Sequence, residues 1–196
     1  MPQARKWIST PRRSGRLPRD PVTGAAYDRT MNASSDLQLH LLRHAHAGDP
    51  TKWDGPDDIR PLSEKGRMQA MRMGLFLAEI AFNPDSIVSS PLARAIETAR
   101  LVASALELPV MVSDVLAGPL DLASLDELLR HVGNPRSPML VGHDPYFSMI
   151  AAELAGLDEL PIRKGTLLRI DTTRPLRPGT GTLKWLVPPD LLLRQD

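Results

Sequence analysis

Three short polar clusters suggest chemistry because each follows directly on a short apolar run. Arg43 and His44 come after Leu37 to Leu42; Ser89, Ser90 and Pro91 come after Ile87 and Val88 and lead into Arg94; His143 comes after Met139 to Gly142. If the runs are strands of an open α/β sheet, these residues lie past the carboxyl ends of strands, where such sheets bind ligands. Two arginines and two histidines at one edge suit phosphoryl transfer, since guanidinium groups engage phosphate oxygens in pairs. A neutral imidazole then supplies a nucleophilic lone pair if a backbone carbonyl fixes its other nitrogen. Arg43, Arg94 and a protonated His143 would hold the charge on the transferring phosphoryl, helped by the amides of a helix starting after Pro91. Such a site requires no metal and no cofactor. Taken singly, each arginine would more often be a surface ion-pair partner, and His143 a helix cap; their joint placement is what favours a site.

The elements that must position these groups follow from the apolar periods. Leu37 to Leu42 reads as a first strand, Ser86 to Ser89 as a second, Val110 to Val112 as a third and Met139 to Val141 as a buried fourth. Helices are expected between them. After Ser63, a suitable N-cap, Met68, Met71, Leu75, Ala78 and Phe82 make one stripe, with Met68, Met71 and Met73 filling core. Leu92, Ile96, Ala99, Ala103 and Leu106 make a second stripe that stops before Pro109. Further helices are expected over about 122–132 and after His143, the latter with Phe147, Ile150, Ala151 and Leu154 inward. Thr166 to Ile170 and Thr182 to Val187 flank a turn-rich stretch and read as an antiparallel hairpin at the sheet edge. The expected fold class is therefore α/β, three layers of α/β/α around a mostly parallel sheet with an antiparallel edge.

A chain of 196 residues, 42% hydrophobic, suffices for one such domain. The absence of cysteine removes disulfides, thiol nucleophiles and thiolate metal sites. Residues 1–35 carry seven Arg or Lys against two Asp, a net charge of +5, whereas the remainder carries seventeen basic against twenty-one acidic residues. That first segment has four prolines and no apolar period, and is expected to be a disordered basic extension to a domain spanning 36–196. A solvated tail is the plainer reading, although nucleic acid, an anionic membrane or an organelle-targeting role would also suit its charge. Met31 is a possible alternative start. With no apolar run of bilayer length and no secretory signal, a soluble, cytoplasmic protein is expected.

Leu42-Arg43-His44-Ala45-His46-Ala47 resembles the Arg-His-Gly signature of the histidine phosphatase superfamily, which has a phosphoglycerate mutase-like fold. In order along the chain, Arg60-Pro61-Leu62-Ser63 with Gly66, Gln69 and Ala70 is similar to the following segment of the small SixA-type phosphohistidine phosphatases. The stretch from Ser89 to Ala95 with Glu97-Thr98-Ala99 resembles the block carrying the second arginine, and Val141 to Pro145 the block carrying the second histidine. Lys164-Gly165, Trp185 and Pro188 fit the C-terminal part. Several motifs in order are a specific signal. The resemblance implies that His44 is phosphorylated, that Arg43 and Arg94 bind phosphate, and that His143 binds it too, in a metal-independent phosphatase.

Two positions depart from the pattern or leave it open. Ala45 replaces glycine, which would alter the pocket if the backbone there were left-handed. His46, at the pocket edge, reads more readily as structurally hydrogen-bonded or solvated than as a substrate contact. His40 and His131 read as structural. The general acid is open between Asp144, Asp114 and Asp121. Substrate is open between a phosphohistidine protein and a small phosphoester, with a non-catalytic phosphate-binding module and a mutase as alternatives. Neither membrane nor nucleic-acid partners are expected, and oligomeric state is left open.

Overall fold

The computed structural model describes residues 37–192. The expectations for residues 1–35 and Met31 lie outside that range. Six strands form one mixed sheet: β1 (Leu37–Arg43), β2 (Ser86–Ser89), β3 (Met111–Val112), β4 (Pro138–Gly142), β5 (Leu167–Thr172) and β6 (Thr182–Val187). Their order is β3-β2-β4-β1-β5-β6. The first four run parallel, while β5 and β6 are antiparallel and extend one edge. This order makes β2, β4 and β1 neighbours, so their carboxyl ends open side by side.

Helices α1 (Glu64–Glu79), α2 (Ala93–Leu106), α3 (Leu122–His131) and α4 (Tyr146–Ala155) cover the two faces in pairs. Strand alternation decides which residues meet which pair. Leu37, Leu39 and Leu41 of β1, with Leu140, Leu168 and Ile170, pack against Leu125 and Leu129 of α3 and Phe147, Ile150 and Leu154 of α4. Leu42, Ile87, Met139 and Val141 face the other way, against Met73 and Leu77 of α1 and Ala95, Ala99 and Val102 of α2. The result is the three-layer α/β/α arrangement with an antiparallel edge.

Helix α1 starts where expected, with Ser63 Oγ accepting from the Gly66 amide at 3.2 Å. The stripe it buries is different. Gly66, Ala70, Met73, Gly74 and Leu77 are inside, whereas Met68, Met71 and Leu75 are exposed. Small residues carry little hydropathy signal, yet they set how closely helices approach: a Cβ at Gly74 would sit 3.0 Å from that of Ala105 on α2. Of the three methionines expected in the core, Met73 alone is buried. In α4, by contrast, all four expected inward residues are buried. His40 is structural, its ring 3.1 Å from the Pro138 carbonyl and edge-on to Phe82.

Candidate active site

The three strand ends are joined by backbone bonds that continue the ladder past the strands. The His44 amide donates to Gly142 O at 2.9 Å, and the Ser90 amide to Val141 O at 2.9 Å. The His44 and His143 rings consequently lie 5.1 Å apart between centroids. Gly142 makes this possible on the opposite face, since a Cβ there would meet the Phe147 ring at 2.6 Å. From the other side, the Gly165 amide bonds both Arg43 O and His44 O at 3.1 Å.

The segment after His44 is pinned to the helices by the polar residues noted in the sequence. Ala45 N donates to Thr98 Oγ1 at 3.1 Å, and that hydroxyl donates to Arg94 O at 2.7 Å. His46 N donates to Gln69 Oε1 at 3.0 Å. Glu97 accepts from Leu62 N at 2.8 Å and from Arg67 Nε at 2.6 Å. The backbone at Ala45 is not left-handed. Its Cβ packs in a small cluster with Ala47, Leu62 and Ala70, so replacing glycine here fills core space and strains nothing. His46 lies with Nδ1 2.7 Å from Ser63 Oγ, the cap of α1, in agreement with a structural reading.

His44 is 6% exposed, and Nδ1 lies 2.7 Å from Ala45 O. A carbonyl can only accept, so Nδ1 carries the proton and Nε2 keeps its lone pair. Burial, reinforced by His143, Arg94 and Arg43, pulls its pKa down to about 3 despite the Ala45 bond. His143 places Nε2 2.8 Å from Ser90 Oγ, which also accepts from Leu92 N at 3.3 Å. Whether that hydroxyl donates to Nε2 or accepts from it follows the His143 tautomer.

The His143 expected to be protonated around a transferring phosphoryl is neutral in the free site. Burial first, then Arg94 and Arg43, lower its pKa to about 4. A third positive charge beside two guanidinium groups is disfavoured until an anion binds. Nδ1 of His143 is buried without a partner, as are Arg43 Nε and Arg94 Nε. Three unpartnered buried nitrogens, two of them guanidinium donors, are costly unless a ligand fills the site, and a phosphoryl group offers several oxygens.

Arg43 also contacts Asp144 at 3.1 Å and donates to Ile162 O. Of the three acid candidates, Asp144 is the one against the site, and it accepts from Ser148 Oγ at 2.8 Å. Asp121 instead caps α3, accepting from Ser124 N at 2.8 Å, and its carboxyl is held below the usual range by Ser124. Asp114 opens an exposed turn, Asp114–Ala117, with no site contact among the described residues. His131 is likewise remote, on the last turn of α3. Sequence reasoning missed Asp57 and gave Arg60 no role beyond its place in the Arg60-Pro61-Leu62-Ser63 motif. Asp57 contacts Arg94 at 3.1 Å and Arg60 at 2.8 Å. The Asp-x-x-Arg spacing in a short turn was the available signal, but nothing in the sequence brings it to Arg94. Among the described residues no cluster of His, Asp and Glu is arranged to hold a metal ion.

The model of the histidine phosphatase superfamily, branch 1, matches residues 39–117. No curated protein matches the sequence. Among solved structures, the protein histidine phosphatase SixA complexed with tungstate aligns with TM-score 0.70 and 23% identity, over 80% of this chain and all of that one. A mycobacterial glucosyl-3-phosphoglycerate phosphatase in complex with VO3 aligns at 0.59 and 18% identity, over 76% of this chain and 98% of that one. A phosphoserine phosphatase from Entamoeba histolytica, in complex with 3-phosphoglyceric acid, aligns at 0.59 and 19%, over 80% of this chain and all of that one. In sequence over residues 39–117 the chain is similar to the histidine phosphatase superfamily, branch 1, and the fold of the described domain is similar to that of solved SixA structures.

Proposed function

We propose that the chain is a metal-independent phosphatase in which His44 is the nucleophile. The observation that carries this reading is the His44 tautomer: Nδ1 is committed to Ala45 O, leaving Nε2 as a lone pair on a buried ring beside two arginines and His143. Nε2 attacks phosphorus and forms a P–N bond as the bond to the leaving group breaks, the electron pair and a proton going to the leaving group. Water then attacks the phosphohistidine, the P–N bond breaks, and inorganic phosphate and neutral His44 are regenerated. Arg43 and Arg94 hold the equatorial charge. His143 donates through Nδ1, and the incoming dianion raises its pKa from the depressed value of the free site.

Asp144 is the acid candidate in reach of the first step. A phosphohistidine leaving group makes small demands on such an acid, because departing imidazole is a far weaker base than an alkoxide. An open groove of about 640 Å³, lined by Ile59, Pro91, Leu92 and Ile96, lies between the turn at 57–59 and the first turns of α2. It would accommodate a chain flanking the phosphorylated residue, so we favour a phosphohistidine protein as substrate over a compact phosphoester. Among the described residues, no helix is long and apolar enough to cross a membrane.

The test is rapid quenching after brief incubation with p-nitrophenyl phosphate or a phosphohistidine protein. Acid-labile, base-stable phosphate should appear on the parent and be absent from His44→Ala. Label that persists in His44→Ala would refute the assignment, and phosphate binding without any turnover would favour a binding module.

A further inference from the structure

Two buried guanidinium groups converge on one carboxylate that the chemistry above does not use. Arg94 and Arg60 are 7% and 6% exposed. Arg94 Nη1 donates to the backbone carbonyl of Asp57 at 2.7 Å, and Nη2 lies 3.1 Å from Asp57 Oδ2. Arg60 Nε donates to Asp57 Oδ1 at 2.8 Å, and its Nη1 donates to Ala47 O, just past the nucleophile. Asp57 therefore engages both terminal nitrogens of Arg94 and leaves Nε, which has no partner. An arginine side chain has many rotamers, and a bidentate anion contact requires one of them.

We propose that Asp57 is a positioning residue: its backbone and side-chain oxygens fix the Arg94 guanidinium so that Nε is left for an oxygen of the transferring phosphoryl. The inference rests on the phosphatase reading. Both carboxylate oxygens are taken by cations, and the Arg60 bond in particular holds the Asp57 pKa below the usual range. The group is a permanent anion, which suits a strut and does not suit a proton donor. It also supplies a counter-charge to two buried arginines from a carboxylate that is itself 57% exposed.

The test compares the parent with Asp57→Asn, Arg94→Ala and the double variant, using p-nitrophenyl phosphate turnover, vanadate inhibition and thermal melting. Asn keeps the size and backbone but loses the charge. A guanidinium misplaced by about 1 Å should cost about 10–100-fold in kcat, with KM changed little and vanadate bound more weakly. In the Arg94→Ala background the same change should cost less than about twofold, because a strut has nothing left to hold. Parent-like turnover in Asp57→Asn, an undiminished loss on top of Arg94→Ala, or tighter vanadate binding would each overturn the proposal.

Were Asp57→Asn unable to fold, Asp57→Glu replaces it. The charge then stays and its position moves, so a folded but slowed enzyme supports the strut and an unslowed one refutes it. A parent that turns over neither p-nitrophenyl phosphate nor a phosphohistidine protein would refute the phosphatase reading separately. Vanadate binding then decides for Asp57: weakening by Asp57→Asn in the parent but not beside Arg94→Ala supports the strut, and any other pattern refutes it.

Discussion

Acid should destabilise this protein through the same histidines that equip its site. His44 and His143 are held neutral in the folded state, with pKa values of about 3 and about 4 against 6.5 for an ordinary histidine. Between those values the unfolded chain binds protons that the folded one does not, so stability rises with pH and falls as the solution is acidified. At pH 7 neither form is much protonated and the contribution is close to zero. At pH 5 the unfolded imidazole is almost fully protonated while both folded ones remain neutral, and the linkage gives about 2 kcal/mol of lost stability per histidine. Because pH 5 lies above both folded values, the result depends mainly on the unfolded pKa. Urea denaturation in phosphate-free buffer at pH 7, 6 and 5 reads the effect, with His143→Asn as comparison. Asn does not titrate, so the stability of the variant relative to the parent should improve by about 2 kcal/mol from pH 7 to pH 5. A difference independent of pH would show that folding does not hold the His143 imidazole neutral.

Other outcomes follow from single contacts. Arg94→Lys keeps a charge but not a fork of donors, and should stay folded while losing roughly 10²–10³ in turnover; steady-state kinetics beside a melting curve would check it. Turnover should be unchanged by EDTA, since guanidinium groups hold the charge that metals hold elsewhere, and a chelator-sensitive rate restored by Mg²⁺ would contradict this. Gly66→Ala should be severely destabilising because the new Cβ would lie 1.9 Å from His46 O, backbone that cannot yield without moving the nucleophile loop; melting temperature and activity should fall together. Ala45→Gly, by contrast, removes one methyl from a packed cluster and should cost about 1 kcal/mol.

Much of the architecture was legible because it is written in short periods. Apolar runs marked the buried strands, and Phe147, Ile150, Ala151 and Leu154 marked the inner face of α4. Arg43, His44, Arg94 and His143 could be brought to one edge from the sequence because strand ends in such a sheet share a side, a topological fact independent of side-chain detail. Where large and small residues compete for the interior, as in α1, hydropathy pointed to Met68 and Met71. The real contact is made by Gly66, Ala70 and Gly74, which close approach demands and which hydropathy does not register.

What only the tertiary structure decided is the state of each group. The neutrality of His143 depends on burial beside Arg94 and Arg43, and the tautomer of His44 on one carbonyl 2.7 Å away. The roles of the acids separated in the same way: Asp121 became a cap, Asp144 met Arg43, and Asp57, unremarkable in sequence, met Arg94 across the fold. Residue type sets what a group can do, whereas protonation and partners depend on distances of a few ångströms between segments remote in sequence, and those distances exist only once the chain has packed.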